Sequence, residues 1–278
     1  MKVAQKKLDF QVILIFLFFI IVSFIFIFPF IWMISSSFKS TGDIFSAGIQ
    51  IIPENPTLNS YKTLFYDYPF LNWLKNSLLF TIGFIIFGLL FSSMAGYALA
   101  KYDFKFSRII FIVIVAGLMF PMHVQLVPLF IMLTNIGWLN TYVGLIVPVL
   151  PHPFGVFFVR QYMMSLDDDL LDAARVDGAS EFGIFFRIIL PLSKPVLAAV
   201  AIYFGVFSWN QLLWPLIVMR SSSMFTLTVG ITSLIGQYRP SYDLVMAASF
   251  LSTFPLVVLF MRMQQQFIAG LTAGSVKG

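Results

Sequence analysis

From Phe10 to Ile34 the sequence runs almost unbroken through apolar residues, and five more such stretches follow it. A helix rises about 1.5 Å per residue, so about 20 apolar residues cross a hydrocarbon core of roughly 30 Å. Six segments reach that length: Phe10–Ile34, Ser77–Ala100, Arg108–Thr134, Tyr142–Met163, Pro195–Met219 and Asp243–Met263. Backbone in lipid must close its hydrogen bonds within its own segment, so each is expected to be helical. Only 10% of residues are charged, against about 25% in soluble proteins. The expectation is an all-α membrane protein with six transmembrane helices.

The second segment carries Gly83, Gly88, Ser92, Ser93 and Gly96, a small-residue face suited to close helix packing. Prolines interrupt the third segment at Pro121 and Pro128, and the fourth at Pro148, Pro151 and Pro153, where kinks are expected. The first run is too long for a signal-peptide core and has no small-residue cleavage site, so it is expected to be retained.

Lysine and arginine set orientation. With the N-terminus inside, Lys2, Lys6, Lys7, Lys101, Lys105, Arg108, Arg160, Arg175, Arg187, Lys194, Arg262 and Lys277 fall inside, twelve in all. Five fall outside: Lys39, Lys62, Lys75, Arg220 and Arg239. Both termini are therefore expected in the cytoplasm, with segments near 35–76 and 220–242 outside. The net charge of +5 comes without a long basic stripe, so no nucleic-acid partner is expected. There is no cysteine, hence no disulfide or thiolate metal site. The domain reading is a cytoplasmic N-terminus over 1–9, one transmembrane domain over 10–263, and a cytoplasmic tail over 264–278.

Polarity is concentrated between the fourth and fifth segments, over residues 165–194. Ser165 with Asp168 three residues on makes a capping-box-like start, and three consecutive aspartates suit a helix N-terminus. Leu166, Leu170 and Ala174 would share one face; Asp168, Asp172 and Arg175 would share another. Gly178 can stop that helix and Ser180 can cap a second, whose Phe182, Phe185, Phe186 and Ile189 form an apolar stripe that Pro191 ends. The result is a helix–turn–helix with a small-residue tip of Ala173, Ala174, Gly178 and Ala179. An amphipathic pair lying at the membrane surface and a docking elbow both fit this pattern.

Asp172-Ala173-Ala174, Gly178 and Ile188-Ile189-Leu190-Pro191 fall at the spacings of the cytoplasmic loop of binding-protein-dependent ABC transporter permeases, which this segment resembles. One departure is Asp172, where the family pattern has the longer glutamate. "WNQLLWPLIVM", Trp209 to Met219, is similar to the fifth span of carbohydrate-type permeases of the maltose-transporter class, and "FIAGLTAGSVKG", Phe267 to Gly278, to the tail of their second permease subunit. The similarity runs from about residue 70 to the end; the first 60 residues match in hydropathy alone.

The resemblance implies the six-helix type I ABC importer permease fold in a prokaryotic cytoplasmic membrane, with a coupling-helix loop between spans four and five. It implies docking to ATPase subunits through Asp172, Ala173, Ala174, Gly178, Ala179, Ile188, Leu190 and Pro191. The tail residues Gly270, Gly274, Lys277 and Gly278 would reach the ATPase interface, and the outer loop around Gln237, Tyr238 and Arg239 would meet an extracytoplasmic solute-binding protein. Implied partners are a second, related permease, two ABC ATPases and a carbohydrate. On residues alone the tail also reads as a frayed end and the outer loop as a plain turn.

Polar groups inside the spans are costly and commonly face a cavity or another helix. His123 and Gln125 beside Pro121, His152 between two prolines, and Trp209, Asn210 and Gln211 in the fifth span supply aromatic faces and hydrogen-bonding groups of the kind a sugar pathway needs. The sixth adds Ser249, Ser252 and Thr253. Asn and Ser also simply bridge helices.

No Gly-x4-Gly-Lys-Ser/Thr phosphate loop, His-Glu-x-x-His or Gly-x-Ser-x-Gly occurs, and the twelve acids lie almost entirely in loops. The chain is therefore expected to be a non-catalytic transport subunit, with ATP and Mg on partner ATPases and no cofactor or metal of its own. A self-contained six-helix carrier or channel is the rival reading. It would normally need an intramembrane acid or a broken-helix ion site.

Overall fold

The computed structural model describes residues 10–46, 50–236 and 241–272, and every regular element among them is helical. In chain order these are α1 (Phe10–Ser36), α2 (Thr41–Ser46), α3 (Asn59–Tyr66), α4 (Phe70–Lys101), α5 (Ser107–Ala116) and α6 (Met122–Asn135). Next come α7 (Tyr142–Ile146), α8 (Pro153–Met163), α9 (Asp169–Val176), α10 (Glu181–Ile184), α11 (Leu190–Leu192) and α12 (Lys194–Trp209). The last three are α13 (Leu213–Val218), α14 (Leu227–Ser233) and α15 (Tyr242–Thr272).

Three helices are long and apolar enough to cross a bilayer, covering Gln11–Ser36, Phe70–Lys101 and Tyr242–Arg262, and three bent pairs reach span length jointly. The pairs are Ser107–Met119 with Met122–Asn135, bent by 102°; Tyr142–Val149 with Pro153–Met163, bent by 47°; and Glu181–Leu192 with Lys194–Trp209, bent by 78°. The count is six only if each bent pair is one span. Residues 108–134, expected as one kinked span, are turned at Pro121, whose predecessor Phe120 is extended. Proline disfavours helical backbone in the residue before it, whereas Pro128 is accommodated inside α6. The fifth segment also differs from expectation: α12 ends at Trp209 and α13 begins at Leu213.

The chain forms two compact units. One comprises Met1–Tyr68 and Ile231–Thr253. Within it, α1 is apolar all round and almost wholly exposed, as befits a helix solvated by lipid. Lys39 is buried there, its ammonium donating to the Gln50 carbonyl and lying 4.9 Å from the Trp32 ring. Asp243 accepts hydrogen bonds from Thr41 and, at 2.9 Å, from Ser60.

The other unit, Pro69–Gly230 and Phe254–Gly278, is built on α4. Its small-residue face lets α8 and α12 approach closely. A Cβ on Gly96 would stand 2.9 Å from Val159, and one on Gly155 of α8 would stand 2.4 Å from the Ser92 hydroxyl. At the start of α4 Asn76 donates to the Ser223 and Phe225 carbonyls, each at 2.9 Å, and accepts from Tyr142 at 2.6 Å. Trp73 donates to the Ser222 carbonyl at 2.8 Å. These bonds satisfy irregular backbone that lipid could not.

Candidate functional site

The polar segment between α8 and α12 is a two-helix elbow. Ser165 does not cap α9: its hydroxyl donates to the Tyr162 carbonyl at 2.7 Å, and the helix begins four residues later at Asp169. The inward face is accordingly Leu171 and Ala174, while Leu170, expected to share a face with Leu166 and Ala174, is exposed. Gly178 has φ +80°, the left-handed backbone glycine adopts freely. Its N–H bonds the Arg175 carbonyl and the Ala179 N–H bonds the Ala174 carbonyl, both at 3.0 Å, closing α9 with a Schellman motif. Ser180 then caps α10, accepting from the Gly183 N–H at 3.2 Å.

After Ile184 the helix widens into a π turn over Phe185–Ile189, with the Leu190 N–H bonded to the Phe185 carbonyl. Pro191 explains the widening. It has no N–H to offer, and in α geometry its ring would strike the Arg187 carbonyl. Pro191 does not end the helix, as the sequence suggests; the chain turns two residues later, at Ser193. Nor is the phenylalanine stripe one face: Phe185 and Ile189 are buried, whereas Phe182 is 71% exposed and Phe186 is exposed as well.

Lys101 and Tyr102, at the end of α4, hold the elbow, and Arg175 braces it from within. Lys101 donates to Asp168 and to the Leu166 carbonyl, both at 2.6 Å. Arg175 bridges Asp172 and Glu181, each at 2.9 Å, and Glu181 also accepts from the Tyr102 hydroxyl. Arg175, and secondarily Tyr102, hold the Glu181 carboxyl below the usual glutamate range; Glu181 and Asp172 push the Arg175 guanidinium up, so the Arg175–Glu181 pair is charged at neutral pH. Sequence reading missed Lys101, Tyr102 and Glu181 as parts of the site. No local signal could have paired Lys101 with Asp168, 67 residues on.

The tip stands clear of the unit. Asp172, Ala173, Gly178, Ala179 and Pro191 are exposed, Val176 is 87% exposed, Ile188 and Leu190 are half-buried, and Ala174 is buried. Gly178, Ala179, Ser180, Phe182, Phe186 and Arg187 border an open cleft of about 640 Å³. The tip thus combines a closed small-residue turn with exposed apolar side chains, Val176, Phe182 and Phe186.

The expected pathway residues are scattered. His123 and Gln125 are exposed at the start of α6. Trp209 is buried at the end of α12, Asn210 donates back to the Val206 carbonyl at 2.8 Å, and the Gln211 carbonyl accepts from Thr228 at 2.6 Å. No hydrogen bond joins the two groups among the described residues. Gly270 falls within α15, while Gly274, Lys277, Gly278, Gln237, Tyr238 and Arg239 lie outside the described residues. No three His, Asp or Glu residues gather as a metal site among those described.

Residues 88–272 match the family described as binding-protein-dependent transport system inner membrane component. The chain is 43% identical over 263 residues to the arabinooligosaccharides transport system permease protein AraQ of Halalkalibacterium halodurans, covering 94% of each chain. That likeness extends into the first 60 residues, where sequence reading offered hydropathy alone. Among solved structures, a chain of a bacterial ABC transporter that imports the acidic polysaccharide alginate superposes with a TM-score of 0.83 at 21% identity, over 96% of this chain and 100% of that one. A bacterial alginate ABC transporter in complex with an alginate pentasaccharide-bound periplasmic protein gives 0.60 at 19% identity, over 92% and 93%. On the match across residues 88–272, with the elbow's signature inside it, this chain belongs to the family of binding-protein-dependent transport system inner membrane components.

Proposed function

We propose that this chain is the membrane-spanning permease subunit of an ATP-driven importer of oligosaccharides, and that the 165–194 elbow is where the motor attaches. The observation that carries the reading is the exposed, small-residue tip of the elbow, held by Lys101 and Tyr102 to the end of the helix that organises its unit and braced by Arg175. A rigid-body push on Gly178 or Phe182 is passed to α4 through this network, and to α12 through the bent continuation of α10 and α11. Six crossings, the fifth made by α12 and α13 without the 181–192 arm, with the elbow and both termini in the cytoplasm, agree with the lysine and arginine distribution. A second, related permease would complete the path, two ABC ATPases would bind ATP and Mg, and a periplasmic binding protein would deliver the sugar. The alginate and arabinooligosaccharide relatives support a carbohydrate cargo.

The test is reconstitution. Affinity-tagged chain extracted in mild detergent should bring down an ABC ATPase, and proteoliposomes holding the purified complex should accumulate labelled arabinotriose only with ATP and the binding protein. Accumulation by this chain alone down an ion gradient would overturn the reading.

A further inference from the structure

A run of aromatic rings crosses from α8 to α12. Phe158, Phe154, Tyr203 and Phe207 follow one another with centroids 4.3, 3.9 and 6.0 Å apart and planes inclined by 32°, 23° and 17°. Phe158 and Tyr203 are exposed. The His152 ring meets this run edge-on, 4.9 Å from Phe207 and 5.7 Å from Tyr203.

The depth of these groups is what singles them out. Tyr203 lies nine residues along α12 from Lys194, and His152 eight residues before Arg160, the two cationic groups at the elbow end. At about 1.5 Å per residue both sit roughly 12–14 Å into the hydrocarbon, near its midplane. Tyrosine in membrane helices belongs at the interface, and polar groups at the midplane face protein or a water-filled cavity. Yet the Tyr203 hydroxyl has no hydrogen-bond partner among the described residues, and neither has the buried His152 Nδ1. This face is therefore neither a lipid-facing surface nor a finished helix contact. Rings stacked 3.9–4.3 Å apart cover one another's faces, so the run offers the exposed flanks of Phe158 and Tyr203 as an apolar wall, and the two unpaired polar atoms offer hydrogen bonds beside it.

We propose that the ring run Phe158–Phe154–Tyr203–Phe207, with His152, lines the solute path, its exposed flank giving passing sugars an apolar wall and Tyr203 and His152 giving them hydrogen bonds. The sugar part rests on the proposed import function; the aqueous exposure of the face does not.

The chain has no cysteine, which makes the test direct. In sealed proteoliposomes holding the complete transporter, Tyr203→Cys and, as a lipid-facing reference, Phe16→Cys are exposed to a charged thiosulfonate on both sides, and modification of this chain is followed by mass. The charged reagent reaches only hydrated thiols, so Cys at 203 should react at least about tenfold faster than Cys at 16, and its modification should cut arabinotriose uptake by about as much. Phe154→Leu should lower uptake severalfold while binding-protein-stimulated ATP hydrolysis continues. Should Tyr203→Cys not assemble, Phe207→Cys takes its place. Equal labelling at 203 and 16, labelling at 203 without loss of uptake, or full uptake by Phe154→Leu would each overturn the proposal. Failure of the import reading would appear separately, as no uptake by the unmodified complex.

Discussion

The Lys101 ammonium lies 2.6 Å from an Asp168 carboxylate oxygen, joining the last residue of α4 to the residue that opens the elbow. The two ends of the bridge are unlike: the Lys101 side chain is 3% exposed and that of Asp168 is 76% exposed. The lysine is thus the structural member and the aspartate its solvated partner. Lys101→Met should cost about 1–2 kcal/mol, because the Leu166 carbonyl and Asp168 both lose a charged donor. Asp168→Asn should cost less than half of that, since the carbonyl bond survives. Thermal melts of the detergent-solubilised chain give the ordering. In the assembled transporter Lys101→Met should hydrolyse ATP with uptake much reduced, because the elbow moves without drawing α4 along.

Some of this was legible beforehand, for local reasons. A left-handed glycine and a serine cap declare themselves within three residues, so the turn at Gly178 and the cap at Ser180 were readable. The close approach at Gly96 was too, since a stripe of small residues on an apolar helix has little other use. What escaped depends on distant partners or on a choice between neighbouring registers. Taking Ser165 as the cap put Leu170 inside, whereas the helix starts at Asp169 and buries Leu171. The turn at Pro121 and the helix around Pro128 begin from the same residue type, and only packing distinguishes them. The aromatic run needs the register of α8 against α12, which no single-helix pattern contains.

Two phenylalanines three residues apart should separate docking from folding. Phe182 is largely exposed and Phe185 is buried in the core of its unit. Phe182→Ser should leave the melting temperature of the isolated chain nearly unchanged yet abolish recovery of the ATPase on the tagged chain. Phe185→Ser should destabilise the chain itself by about 3 kcal/mol or more, through lost burial and an empty ring volume. Equal ATPase recovery with Phe182→Ser and the unmodified chain would remove the exposed face from the interface.

Acid should loosen the elbow before the rest of its unit. The folded Glu181 carboxyl is held below its ordinary value, first by Arg175 and then by Tyr102. Its contribution is complete above the unfolded value of about 4.3 and is lost as pH falls through the lower folded value. Arg175 stays charged throughout, so the change belongs to the carboxyl. Amide exchange over 172–184, corrected for intrinsic rates, should be equal at neutral pH and pH 5 and should quicken below about pH 4. Glu181→Gln should exchange faster at neutral pH and lose the acid step; the exposed setting keeps the effect modest.

Gly178 joins a backbone requirement to a surface one, and two substitutions pull them apart. Its φ of +80° strains any side-chain-bearing residue, while a Cβ there would meet nothing within 4 Å. Gly178→Ala should therefore destabilise the isolated chain by about 1–2 kcal/mol through backbone alone. Gly178→Asn should cost less, because asparagine tolerates left-handed backbone. If conformation were all that mattered, uptake would follow stability and the asparagine variant would be the better transporter. A tip seated against another protein reverses that order, since asparagine is the bulkier intruder. We expect Gly178→Asn to melt higher than Gly178→Ala and to transport less, with ATPase recovery falling in step with side-chain size.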